Sequence, residues 1–103
     1  MIKVYETINF RHWFSGIKDL SVRIRLARRL DRARLGNLGD FKKLAQFLFE
    51  MREFFGKGWR MYFYQDIEPS ILMLYGGTKD SQRDDINKAK QMIKELTHDS
   101  KDS

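Results

Sequence analysis

A chain of 103 residues with 42% hydrophobic and 14% aromatic residues carries enough apolar surface for one core and is short of two, which excludes a disordered protein. Its formal charge of +6 is unevenly placed, with 14 Lys/Arg against 6 Asp/Glu in residues 1–65 and 6 against 8 in residues 66–103, so the basic front two thirds suits a polyanion or an acidic protein. Without cysteine, and with His12 and His98 as the only histidines, disulfides and thiolate chemistry are excluded and a histidine metal site is disfavoured.

Residues Ile2 to Ile8, rich in β-branched and aromatic side chains, read as a first strand. Asn9 is then placed to cap a short helix in which Phe10, Trp13, Phe14 and Ile17 form one apolar stripe, with Trp13 as a core anchor. Leu20 to Leu35 reads as a second helix, with Leu20, Val22, Ile24, Leu26, Ala27, Leu30 and Ala33 on a broad apolar arc. At 100° per residue Arg25, Arg28, Arg29 and Arg32 fall together on the other side. Arginine's planar fork suits phosphate, so this stripe fits RNA or an acidic partner as well as it fits a solvated face.

The cluster Gly36-Asn37-Leu38-Gly39-Asp40 ends that helix, and Phe41 to Gln46, bearing Lys42 and Lys43, reads as an irregular or briefly helical connector. Leu48 to Phe55 alternates as a strand, with Phe49 and Met51 on one face and Glu50 and Arg52 on the other. A tight Gly56-Lys57-Gly58 link leads to the next strand, where Trp59, Met61 and Phe63 oppose Arg60, Tyr62 and Tyr64. Antiparallel pairing brings Arg52 and Arg60 to one side. Ile71 to Tyr75 reads as a central strand covered on both faces. Gly76-Gly77-Thr78-Lys79-Asp80 leaves it, and Ser81 with Asp84 forms a capping box for a last helix buried through Ile86, Ala89, Ile93 and Leu96. Residues 1–97 are thus one expected domain and 98–103 a polar tail. The class is α+β: two N-terminal helices packed on a small, mainly antiparallel sheet, then a C-terminal helix.

Gly56-x-Gly58 and Gly76-Gly77 lack the spacing of nucleotide loops, and no nucleophile elbow or triad is present. What remains is the convergence of Arg52, Arg60, Lys79 and Tyr62 beside Lys42 and Lys43. RNA cleaves itself when its 2′-OH attacks the adjacent phosphate, so a protein need only position the strand, stabilise the phosphorane and move protons, all without a metal. A lysine or tyrosine crowded by cations has its pKa lowered toward a usable range. The same cations serve equally as a binding surface without turnover.

Leu30 with Gly36-Asn37-x-Gly39-Asp40, Lys43-Leu44, Glu50-Met51-Arg52, Gly56-x-Gly58-Trp59-Arg60-Met61-Tyr62, Gly76-Gly77-x-Lys79-x-x-Gln82 and Asp85-Ile86-x-x-Ala89 together resemble the HigB-like branch of the RelE/ParE toxin superfamily. The likeness begins near Phe10 and Trp13 and continues to Ile93. It implies a RelE-like fold and the toxin of a type II toxin–antitoxin system, a metal-independent mRNA interferase that cuts messenger RNA in the ribosomal A site. It implies a helix-turn-helix antitoxin as partner, no cofactor, and functional cations at Arg52, Arg60 and Lys79. Lys57 stands where the family commonly has proline, and Thr78 where it has aspartate. A ParE-like, non-enzymatic inhibitor of DNA gyrase is the alternative on the same fold. No apolar run reaches the length of a membrane span and no signal-peptide pattern follows Met1, so the cytoplasm is the expected compartment.

Overall fold

The computed structural model describes the backbone of residues 1–102 and the side chains of residues 1–97. In chain order the elements are β1 (Lys3–Glu6), α1 (Ile8–Ser15), α2 (Leu20–Arg34), β2 (Phe41–Ala45), β3 (Leu48–Glu53), β4 (Trp59–Tyr64) and β5 (Ser70–Thr78). A 3₁₀ turn (Lys79–Ser81) and α3 (Gln82–Asp102) follow. The five strands form one sheet in the order β1-β5-β4-β3-β2, with β1 parallel to β5 and the other pairings antiparallel. The α+β class read from the sequence is the class observed.

Strand alternation gives the sheet two apolar faces. Met51, Met61, Phe63 and Met73 meet Phe10 of α1 and Val22, Leu26, Leu30 and Ala33 of α2 on one face. Leu48, Tyr62 and Leu74 meet Ala89 of α3 on the other, flanked by Ile86 and Ile93. Removing side chains of this size from water stabilises the fold by about 1.5–3 kcal/mol each. Leu20 and Ile24, placed on the apolar arc of α2 by periodicity, are exposed at 59% and 42%.

Several boundaries differ from expectation for identifiable reasons. Phe41–Ala45 is a strand, not a connector, because it pairs with the free edge of β3 through Phe41↔Met51, Lys42↔Glu50 and Lys43↔Phe49. Phe41, Lys42 and Lys43 are all exposed, so no alternation marks this edge in the sequence. The cap of α1 is Thr7, whose Oγ1 accepts from the Phe10 N–H at 3.0 Å while donating to the Leu74 carbonyl at 2.8 Å. Asn9 lies inside that helix.

β5 does not end at Tyr75. It continues through Gly76 and Gly77 because both faces press on its backbone there: a Cβ at Gly76 would lie 2.4 Å from the Trp13 ring, and one at Gly77 would lie 1.8 Å from the Asp85 carboxylate. The last helix opens after a turn in which Ser81 Oγ accepts from the Thr78 N–H, rather than through the Ser81–Asp84 box. Its backbone runs to Asp102, past the Thr97 boundary expected for the tail, while the tail's side chains and Ser103 lie outside the described residues.

Candidate functional site

The β3–β4 register sets Arg52 directly opposite Arg60, and the β4–β5 register sets Arg60 opposite Gly77. Lys79, the first residue of the turn that leaves β5, lies at the same end of the sheet. Gly58, in the hairpin between β3 and β4, has a φ of +76°, and a Cβ there would be 3.0 Å from Arg60 Nη1 and 3.4 Å from Lys79 Cβ. The three sequence-predicted cations Arg52, Arg60 and Lys79 are therefore neighbours, with Gly58 leaving room between two of them.

Each arginine is held by groups around it. Arg60, 8% exposed, donates from Nη1 to the Gly58 carbonyl at 2.9 Å, and its Nε stands 4.0 Å from Glu50 Oε2. Glu50 is 1% exposed and accepts from Gln82 Nε2 at 2.8 Å, so the start of α3 fixes the carboxylate that balances Arg60. Arg52 donates from Nη2 to Asp40 Oδ1 at 3.1 Å, and its guanidinium lies 5.6 Å from the Phe54 ring. Like charges set opposite one another on a sheet repel, and Asp40 and Glu50 offset that repulsion. Among the described residues, Nε of both Arg52 and Arg60 is buried and has no hydrogen-bond acceptor. Each such donor costs about 1–3 kcal/mol.

Lys79 is exposed and forms no ion pair with a described residue. Lys42, cross-strand from Glu50, shares the face of Arg52 and Arg60, whereas Lys43, paired with Phe49, points to the α1–α2 face. The surface expected to be cationic thus carries acids as well: Glu50, Asp40 and Asp85 stand among its cations.

Tyr62 differs from expectation in both position and electrostatics. It is wholly buried on the α3 face, its hydroxyl beside the Glu50 carboxylate. Burial, then the Glu50 and Asp85 carboxylates, push its phenol well above the ordinary range, outweighing the opposing pull of Arg60. That is the reverse of a tyrosine activated by cations, so Tyr62 stays protonated and serves the site as packing.

Of the arginine stripe on α2, Arg29 is an internal clamp. It is 3% exposed, and its five N–H groups reach Leu38 O twice, Asp40 O, Arg52 O and Glu53 Oε1, at 2.5–3.1 Å. A helical wheel puts it on the polar side, but the loop carrying Gly39 folds over it, with space for a Gly39 Cβ ending 3.0 Å from the guanidinium. Arg29 is thereby withdrawn from any role in binding RNA. Arg32 sits 4.0 Å from Glu53, Arg25 lies 3.8 Å over the Phe55 ring, and Arg28 is exposed. The remaining three belong to the α1–α2 side of the sheet, away from Arg60.

Two groups join the site that sequence reasoning did not place there. Gln82 and Asp85 fall within the motifs quoted above, yet only the fold shows Gln82 on Glu50 and Asp85 against Gly77. Asp85 accepts from Ser81 Oγ at 2.5 Å, and burial holds its carboxyl above the usual value against the lowering effect of that bond. Glu50, placed by alternation on the face of Arg52, stands within ion-pair reach of Arg60. Chemically, the cluster offers fixed guanidinium donors and an exposed ammonium to a phosphate, which is what charge stabilisation in phosphoryl transfer requires.

Over 95 residues the chain is 34% identical to an uncharacterized protein of Haemophilus influenzae, covering 92% of this chain and 96% of that protein. No family model matches the chain, and no solved structure matches it.

Proposed function

This chain belongs to one family with the uncharacterized Haemophilus influenzae protein, and we propose that it is the toxin of a type II toxin–antitoxin system: a HigB-like, RelE-fold endoribonuclease that cuts messenger RNA on the ribosome. The observation that carries this reading is the cross-strand pair Arg52 and Arg60 beside the exposed Lys79. Guanidinium–phosphate hydrogen bonds are short and strong because both partners are charged.

In this mechanism the 2′-oxygen bonds to phosphorus and the bond from phosphorus to the 5′-oxygen breaks, leaving a 2′,3′-cyclic phosphate and a 5′-hydroxyl. Arg60 and Arg52 fix the phosphate and stabilise the added charge of the phosphorane, while Lys79 approaches from the solvent side. The proton lost by the 2′-OH is matched by the one gained by the leaving oxygen. A helix-turn-helix antitoxin would mask this surface, and the cytoplasm is where both act.

The test is cleavage of messenger RNA by purified protein with and without ribosomes, read by mapping 5′-hydroxyl ends. Arg60→Ala should abolish cutting while circular dichroism keeps its folded signature, with a lowered melting temperature because the buried Glu50 carboxylate loses its partner. A folded Arg60→Ala that cuts at the normal rate would overturn the site. Intact messages accompanied by altered DNA supercoiling would favour gyrase inhibition, and salt-sensitive RNA binding without cutting would favour a binding module.

A further inference from the structure

A groove of about 730 Å³ opens between the α1–α2 link and the β3–β4 hairpin, on the α1–α2 face of the sheet. The chain has two tryptophans, Trp13 and Trp59, and both line this groove, their rings 6.4 Å apart and inclined at 53°. The six-membered ring of Trp13 rests on Gly76, where a Cβ would collide with Cζ3 and Cη2. Trp59 Nε1 lies 3.7 Å from the position of a Gly56 Cβ, at the mouth of the hairpin. Both rings are only partly covered, and neither indole N–H donates to a described residue.

Both rings pack in part on the core around α1 and α2. Their uncovered parts adjoin two exposed lysines, Lys18 and Lys57, neither ion-paired with a described residue. The one carboxylate on its rim, Asp19, is engaged as the cap of α2, accepting from the Ser21 N–H at 2.9 Å and the Ser21 hydroxyl at 2.7 Å. Aromatic faces for bases interleaved with cations for the backbone are the means by which proteins hold single-stranded nucleic acid.

We propose that this groove holds a nucleobase of single-stranded RNA against Trp13 and Trp59, with Lys18 and Lys57 on its flanking phosphates. The inference rests on the RNA reading of the arginine cluster, and the hairpin connects the two. Gly56 and Lys57 face the groove, while Gly58, the next residue, carries the carbonyl that holds Arg60 and lies against Lys79. One strand crossing the end of the sheet reaches both, so the groove would select the base beside the cut.

Because both tryptophans sit in the groove, intrinsic tryptophan fluorescence of the full chain reports this site alone. A short oligoadenylate should quench it saturably, and adenosine 5′-monophosphate should do so at higher concentration. Ribose 5-phosphate, which has no base, and polyglutamate, which mimics an acidic protein, should not. The double variant Lys18→Glu, Lys57→Glu, with unchanged circular dichroism and melting, should need on the order of tenfold more oligoadenylate for half-saturation. Absence of saturable quenching by oligoadenylate would overturn the proposal, as would equal quenching by ribose 5-phosphate or polyglutamate, or indifference to the lysine changes. Cleavage of messages without quenching would sink the groove and spare the nuclease; quenching by a protein that cuts no message would do the reverse.

Discussion

Arg60 shows how one residue's usefulness depends on what holds it. The Gly58 carbonyl on one side and the Glu50 carboxylate on the other restrict its guanidinium before any ligand arrives, so little ordering entropy remains to be lost on binding. Arg60→Lys keeps the charge but gives up the planar fork; we expect cleavage to fall at least about tenfold, measured as initial rate on ribosome-bound message, with the melting temperature little changed. Tyr62 beside it supports a prediction about pH. Its folded pKa is raised by burial and by Glu50 and Asp85, so its contribution to stability is fully present below the unfolded phenol value of about 10 and is lost as pH rises beyond it. Tyr62→Phe, measured by denaturant melts across the alkaline range, should therefore lose less stability than wild type above that pH, by up to about 1.4 kcal/mol per pH unit. The same variant should retain cleavage, and a collapse of activity would restore Tyr62 to the chemistry.

At the scale of elements, the Arg29 clamp ties α2 to the Gly39 loop and the end of β3, three segments distant in sequence. Removing one partner from a buried ionic network costs about 3–5 kcal/mol, because the remaining groups stay desolvated and unpaired. Arg29→Met should lower unfolding free energy by that amount in urea melts, whereas Arg28→Met, on an exposed position, should change it by about 0.5 kcal/mol or less. This clamp also shows where the sequence is legible. Faces decided by alternation, such as Met51 and Met61 against Arg52 and Arg60, are readable because each strand carries its own pattern. Arg29, the β2 strand and the extension of β5 through Gly76-Gly77 are decided by segments elsewhere in the chain: a loop that wraps, an edge that needs pairing, a tryptophan and an aspartate that need room. The arginines of the site were visible before the fold, but the carboxylate and amide that orient them, Glu50 with Gln82, belong together only once α3 lies across the sheet.

For the whole molecule, the uneven charge becomes a prediction about salt. With Arg52, Arg60, Lys79 and Lys42 on one face and Lys18 and Lys57 in the groove, binding of single-stranded RNA should weaken as salt rises, with a log–log slope of about −4. Lys42→Glu should reduce that slope by roughly one charge's share. Lys43→Glu, at a position that lines neither the arginine cluster nor the groove, should change it much less, and equal effects of the two would argue against this placement of the strand. The topology carries a different consequence. β1 lies alongside β5 through Lys3↔Ser70 and Val4↔Ile71, so the first strand made is paired by the last. During synthesis the N-terminal strand must wait, unpaired, until nearly the whole sheet has emerged, because contacts this distant form only after the intervening chain exists. Nascent chains stalled before Ser70 should be digested readily by protease, and those long enough to free β5 should resist. A protein able to destroy messages would then become competent only after the stretch that encodes β5 had been read and had left the ribosome.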